Sequence, residues 1–252
     1  MTTRRIPDYE GMLAETVLFA GDKEATIGGY IARPLGGGLH PGVIVIHEVF
    51  GLVEHTKEIA RKFAAHGYIA LAPDLYYREG PGELEKIVAG VRQQGGVPDA
   101  RLIGDLEGAV NALRSVADCN GKIGCIGYCS GGRQTLLFAC NTKNLSAAVD
   151  CYGGRVITDE LNPNQPRAVI DMIASLSCPL LGLFGEMDQN PSPQHVSRLE
   201  EELKKYGKTY EFKRFEGDVG HGFFADYRPS YRQAAAVEGW QRIFDFYGRY
   251  LW

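Results

Sequence analysis

Residues 122–140 read KIGCIGYCSGGRQTLLFAC. The first six, KIGCIG, are apolar on both faces of an extended chain, the pattern of a parallel strand covered by helices on each side. The stretch from Gly131 to Cys140 fits a helix. Between them, Gly127-Tyr128-Cys129-Ser130-Gly131 forms a strand–turn–helix junction, the context of the G-x-S-x-G nucleophile elbow, with cysteine in the place of serine. A turn this tight leaves no room for side chains two residues before and two after its centre, and glycine also tolerates the unusual dihedrals nearby. The Cys129 thiol then stands at the positive end of the following helix, where a thiolate is stabilised. Ser130 is offset by one from the centre, so its backbone N–H, as a donor to an oxyanion, is its more useful group. The other cysteines, at 119, 125, 140, 151 and 178, read as small apolar residues.

Outward from this junction, short apolar runs alternate with longer helical patterns. Strands are expected at 15–19, 29–33, 42–47, 68–72, 122–127, 147–152, 179–184 and 210–215. Helices are expected at 56–66, 83–94, 101–116, 131–140, 193–206 and 231–250. GVIVIH, YIALA and PLLGLF share the two-faced apolar character of KIGCIG. The two N-terminal strands alternate more and fit an antiparallel hairpin at the sheet edge. The whole predicts an α/β fold with an open, doubly wound, mostly parallel sheet flanked by helices on both faces, in one domain spanning 1–252. Chemistry in such a sheet sits at the carboxyl ends of the strands. The segment 155–177 fits the alternation poorly; it reads as an excursion, a loop plus one helix near the site or an exposed insertion.

The chain has 252 residues and a formal net charge of −4, which gives no general attraction to nucleic acid or anionic membrane. No uncharged apolar run reaches the roughly 20 residues of a membrane span. The opening MTTRRIPDYEGM has no apolar h-region, so no secretory leader is expected and a cytoplasmic location is the default. Six cysteines without export or a CxxC pair are expected to be reduced thiols, and no metal site is expected.

A thiol nucleophile needs a base, and the base a third group that fixes its tautomer. On a sheet of this kind the chain order is nucleophile, acid, histidine. Two histidines follow Cys129. His195 lies in the amphipathic PSPQHVSRLE and reads as a surface residue. His221 lies in the Gly-bracketed loop EGDVGHGFFADY and is the candidate base. The acid should follow PLLGLF, where Glu186 and Asp188 both stand; Asp188, farther past the strand, reaches the histidine loop more easily. Asp218 is a weaker alternative, and Asp150 reads as structural.

The segments VIVIHEVFGL (43–52), APDLYYR (72–78), GYCSGG (127–132), FGEMD (184–188) and HGFFADYRPSY (221–231) resemble, in order, the dienelactone hydrolase (carboxymethylenebutenolidase) family of α/β-hydrolases. The resemblance implies a Cys129–His221–Asp188 triad, an acyl-enzyme, and hydrolysis of a small lactone or ester that carries a carboxylate, without metal or organic cofactor. It also implies that Glu48 contacts the nucleophile, that the Val49 N–H is a second oxyanion donor, that Phe50 lines the pocket, and that Arg78 pairs with the substrate carboxylate. Arg228 is a candidate second positive charge, and Tyr152 a candidate pocket residue. Two features depart from the family pattern: the long 155–177 segment, and Gly222, where the prototype lactonase has a larger residue. A broader carboxylesterase or thioesterase with the same triad is the alternative expectation, and a non-catalytic ligand-binding or redox-sensing relative the remote one. The expected partner is a small molecule, with the protein a monomer or small homo-oligomer.

Overall fold

The structure, a computed structural model, describes residues 11–252. The reading of the opening stretch as no leader falls on residues 1–10, outside the described residues. In chain order the elements are β1 (Met12–Ala20), β2 (Thr26–Pro34), β3 (His40–Ile46), α1 (Glu54–Ala65), β4 (Ile69–Pro73), α2 (Leu84–Gln93), α3 (Asp99–Arg114), β5 (Cys119–Tyr128), α4 (Ser130–Asn141), β6 (Ala147–Cys151), β7 (Leu180–Gly185), α5 (Pro193–Lys205), β8 (Tyr210–Phe215) and α6 (Gln233–Tyr250). All eight strands join one sheet in the order β1-β2-β4-β3-β5-β6-β7-β8. The expected N-terminal hairpin is there at the edge, and β2 also runs antiparallel to β4. The remaining pairs are parallel. β5 is thus central, and its C-terminal end carries Cys129.

Strand alternation sorts the core into two layers. Val43, Val45, Ala70, Ile126 and Val149 face α1 and α6, meeting Ile59, Phe63, Ile243 and Phe246. Ile44, Ile46, Leu71, Cys125 and Ala148 face the other way, toward Leu106 and Val110 of α3, Leu136 and Leu137 of α4, and Leu199 of α5. Each fully buried aliphatic side chain contributes roughly 1.5–3 kcal/mol. α1 buries Thr56, Ile59, Ala60, Phe63 and Ala64, a single stripe at helical spacing. α4 is buried from Gly131 to Cys140. Its one charged residue, Arg133, is matched by a bidentate pair with Asp99 of α3, both contacts 2.9 Å.

The 155–177 segment is a loop followed by a 3-10 helix, Val169–Ser175. It is no exposed insertion: Val156, Val169, Ile170 and Ile173 sink into the α4 side of the core. The Asn164 carbonyl accepts the Asp99 N–H at 2.8 Å, and the Asn164 amide donates to the Gln94 and Gly96 carbonyls. The excursion therefore clamps the α2–α3 connection.

Candidate active site

Cys129 sits at φ 56, ψ −120, a left-handed conformation that costs a non-glycine residue on the order of 1–3 kcal/mol and is kept where the surroundings enforce it. Its N–H donates to the Cys151 carbonyl at 3.1 Å, and its carbonyl accepts the Gly132 N–H at 3.0 Å. The elbow glycines are needed for space: a Cβ on Gly127 would strike the Gly131 backbone, and one on Gly131 the carbonyl of Ile46.

The last-strand loop brings His221 to this point. Its Nδ1 donates to Asp188 Oδ2 at 2.8 Å, and its ring also hydrogen-bonds to Cys129. Burial pulls the imidazole down, but the bonds to Asp188 and Cys129 and the charges of both groups outweigh it, and its pKa is pushed up to about 10. Asp188 is buried, and its second oxygen accepts the Asn190 N–H at 2.8 Å, so the carboxylate is fixed at both ends. Of the acids left open by the sequence, Asp188 alone meets the histidine. Glu186 is exposed, Asp218 pairs with Arg232, and Asp150 is buried at the end of β6 with the Gly153 N–H on its Oδ1. His195 lies on α5, its N–H capped by Ser192. Tyr152 lies edge-on to His221, ring centroids 5.0 Å apart. It is fully buried at φ 44, a backing for the imidazole more than a pocket surface.

Glu48, 4% exposed, faces Arg228: Nη2 donates to Oε2 at 2.7 Å and Nη1 to Oε1 at 3.3 Å. Among the described residues its hydrogen bonds go to Arg228 and none to Cys129. Burial raises the Glu48 carboxyl above its ordinary range, and the Arg228 charge and hydrogen bonds oppose that rise. The Arg228 guanidinium lies 4.5 Å from the Phe50 ring and 4.9 Å from the Tyr227 ring, and donates to the Tyr227 hydroxyl at 2.6 Å. Gly222 adopts φ 77, and a Cβ there would come within 3.5 Å of the Arg228 guanidinium. Its missing Cβ suits the left-handed turn of the loop.

Among the described residues, the Val49 and Ser130 N–H groups donate to no protein acceptor. Arg78 is engaged elsewhere. It pairs with buried Asp105 of α3, whose other oxygen accepts the Asp22 N–H at 2.8 Å. The structure thus brings together Cys129, His221, Asp188, Tyr152, and the Glu48–Arg228–Phe50 group, and ties Arg78 to α3.

Sequence reasoning passes over three supporting residues. Buried His47 donates from Nδ1 to the Glu48 carbonyl at 2.7 Å and accepts the Leu75 N–H on Nε2 at 3.3 Å; burial lowers its pKa, in keeping with the neutral ring those bonds require. Tyr76 donates to the Val49 carbonyl at 3.3 Å. Tyr227 braces Arg228. His47, Tyr76 and Tyr227 stand inside the family-like segments VIVIHEVFGL, APDLYYR and HGFFADYRPSY, which is the available signal. Among the described residues, His55, Glu58 and Asp226 form one group that could ligate a cation. The positive charges of Arg228 and Lys62 beside His55 weigh against one there.

A mostly parallel sheet with a cysteine on its central strand–helix turn and a histidine after its last strand defines an α/β-hydrolase. Within that class the chain belongs to the dienelactone hydrolase family, whose family model matches residues 27–251. It is 36% identical over 248 residues to a protein of Methylorubrum extorquens AM1 named as a candidate carboxymethylenebutenolidase, covering 96% of this chain and 83% of that one. A candidate 2-oxo-3-(5-oxofuran-2-ylidene)propanoate lactonase from Bradyrhizobium is 29% identical over 215 residues, 84% of each chain. The crystal structure of a candidate dienelactone hydrolase from Klebsiella pneumoniae superposes with a TM-score of 0.86 at 30% identity, covering 96% of this chain and 100% of that one. The protein is a carboxylic ester hydrolase of lactones or esters, with a small-molecule substrate. No helix among the described residues is long and apolar enough to cross a membrane.

Proposed function

We propose that this enzyme hydrolyses a small, carboxylate-bearing lactone or ester through a Cys129–His221–Asp188 triad and a thioester acyl-enzyme. The observation that carries the reading is His221 bridging a buried Asp188 and a Cys129 held in a strained turn. His221 takes the thiol proton, and the thiolate attacks the carbonyl carbon. The Val49 and Ser130 N–H groups receive the oxyanion. His221 returns the proton to the leaving alkoxide, which in a lactone stays on the same molecule. A water, deprotonated by His221, then cleaves the thioester and frees the acid.

Glu48 has a conditional role in this scheme. With Arg228 occupied by Glu48, the carboxylate is held away from the thiol. A substrate carboxylate that engages Arg228 competes with Glu48, which then serves as a second acceptor for the thiol proton. The propanoate in the name of the Bradyrhizobium relative favours such a substrate. A broader carboxylesterase or thioesterase is the second reading, favoured by a cleft of about 700 Å³ between Phe50, Val53, Leu84 and Val88 with room for a larger apolar group. In this reading the single-domain enzyme works in the cytoplasm, as monomer or small homo-oligomer, in keeping with its free thiols.

The test is turnover of lactones and aryl esters by Cys129→Ala and Cys129→Ser, with mass spectrometry for the acyl-enzyme. Loss of about 10³-fold or more is expected for Cys129→Ala. Full turnover by that variant would refute the reading.

A further inference from the structure

Residues 151–155, from the end of β6 into the turn that follows, touch each member of the proposed triad. The Cys151 carbonyl accepts the Cys129 N–H at 3.1 Å. The Tyr152 ring stands edge-on to His221, centroids 5.0 Å apart. The Arg155 N–H donates to Asn190 Oδ1 at 3.0 Å, and the Asn190 N–H donates to Asp188 Oδ1 at 2.8 Å. We propose that Asp150, which immediately precedes this stretch, is a positioning residue for the hydrolysis: its carboxyl pins the turn, and the turn sets the mutual geometry of Cys129, His221 and Asp188. The inference rests on the triad proposed above. Asp150 lies outside the family-like segments.

The turn is strained and needs a fastener. Tyr152 lies at φ 44 and Arg155 at φ 60, left-handed conformations that a non-glycine residue keeps only where its surroundings enforce them. The Tyr152 N–H donates to the Leu183 carbonyl at 2.9 Å. The next N–H, of Gly153, donates to Asp150 Oδ1 at 2.8 Å. Asp150 is 0% exposed, so bulk solvent does not compete for that bond.

The same carboxyl is wedged against the helix that follows the nucleophile. A Cβ on Gly132 would stand 2.3 Å from Asp150 Oδ1 and 2.7 Å from the Gly153 Cα, and one on Gly153 would stand 2.7 Å from the Arg133 nitrogen. The first turn of α4, Asp150 and the turn after β6 therefore interlock without room for one more carbon. Among the described residues Asp150 Oδ2 has no hydrogen-bond partner. A buried carboxyl with one bare oxygen is a poor choice for stability alone; what it supplies is an acceptor aimed at Gly153. Truncating it frees the Gly153 N–H and opens a gap at the joint. The turn can then relax toward ordinary dihedrals, carrying Tyr152 from His221 and Arg155 from Asn190, and misplaced reacting groups lose rate.

The test is steady-state kinetics per folded molecule on a charged and an uncharged ester, the 4-nitrophenyl half-ester of glutaric acid and 4-nitrophenyl valerate. Asp150→Ala should lower kcat about tenfold on both esters, with KM within about twofold of the parent. Asp150→Asn keeps an oxygen for the Gly153 N–H and should recover kcat to within about threefold of the parent. A residue that only stabilises the fold would shift the urea midpoint and leave kcat per folded molecule unchanged. That result, or equal kcat in Asp150→Ala and Asp150→Asn, would overturn the proposal. Should Asp150→Ala fail to fold, Asn190→Ala at its exposed position decides: kcat should fall about threefold on both esters at unchanged KM. An unchanged kcat there removes the turn from the geometry of the triad, and the proposal with it. Asp188→Asn separates this inference from the triad itself. If that variant keeps the parent's kcat, the triad is wrong; if it is inactive while Asp150→Ala retains kcat, only the role of Asp150 is.

Discussion

Two half-buried arginines each meet a buried carboxylate, and the two pairs do different work. Arg78 on Asp105 joins the segment after β4 to α3, and Asp105 is further tied to the Asp22 N–H. The contacts of that set run among the segment after β4, α3 and the turn before β2. Arg228 on Glu48 joins two loops at the carboxyl end of the sheet, with Phe50 and Tyr227 against the guanidinium. That set faces a cleft, and a ligand can compete for it. We infer that the same chemistry is a rivet in one place and an exchangeable latch in the other, and that surroundings decide which.

The sharpest way to break this contrast is to remove each arginine. Arg78→Ala leaves Asp105 buried with no cation, and such a loss costs about 3–5 kcal/mol. Urea denaturation should read that loss, while kcat/KM per folded molecule stays within about twofold of the parent. Arg228→Ala should do the reverse. It should lower kcat/KM on a carboxylate-bearing ester about 100-fold, with a smaller stability loss, because the Glu48 carboxyl is already raised by burial and can take a proton when its partner goes. If the two variants exchanged phenotypes, the contrast would be gone.

A third buried carboxylate extends the comparison to the case with no arginine. Asp150 accepts one N–H, from Gly153, and its Oδ2 has no partner among the described residues. Burial raises its pKa from 3.8 to about 7, with the Gly153 bond and the His221 charge opposing. The folded state therefore binds more protons than the unfolded state between those values, and stability falls as pH rises from about 4 through about 7. Asp150→Asn removes that loss. Its stability relative to the parent should grow by on the order of a few kcal/mol between pH 4 and pH 8, read from urea denaturation at both ends. Parallel curves for the two proteins would show that Asp150 does not ionise in this window.

These pairs also mark where reading the sequence stops. The elbow, the strand pattern and the histidine after the last strand are legible because each is local: a two-faced apolar strand, a glycine-spaced turn, a position in chain order. Reach favours Asp188 over Glu186 in the sequence, and burial separates them in the structure. The family resemblance of APDLYYR implies Arg78 at the substrate. Nothing in that segment reveals that Asp105, in another helix, would claim it. Asp150 reads as structural in its strand, and only the third dimension sets its carboxyl against Gly132 and Gly153. The 155–177 segment defies periodicity because its buried residues are spread along a loop and a 3-10 turn, which carry neither helical nor strand spacing.

The smallest expected effect tests how finely the latch is set. Gly222 follows the candidate base at φ 77, and a Cβ there would meet Ser230 Oγ at 3.3 Å and Arg228 Nη1 at 3.5 Å. Alanine at a left-handed position costs about 1–2 kcal/mol, so Gly222→Ala should lose that much stability. The contact at Ser230 asks its neighbours to give by a few tenths of an ångström, and the new methyl then lies directly against a guanidinium held by Glu48 and Tyr227. A latch that must open for substrate should feel it: KM for the charged ester should rise by about two- to threefold, while valerate ester KM moves less. Equal changes on both esters would mean that the glycine serves the loop and His221 alone, and that the Glu48–Arg228 pair tolerates displacement as freely as a surface ion pair does.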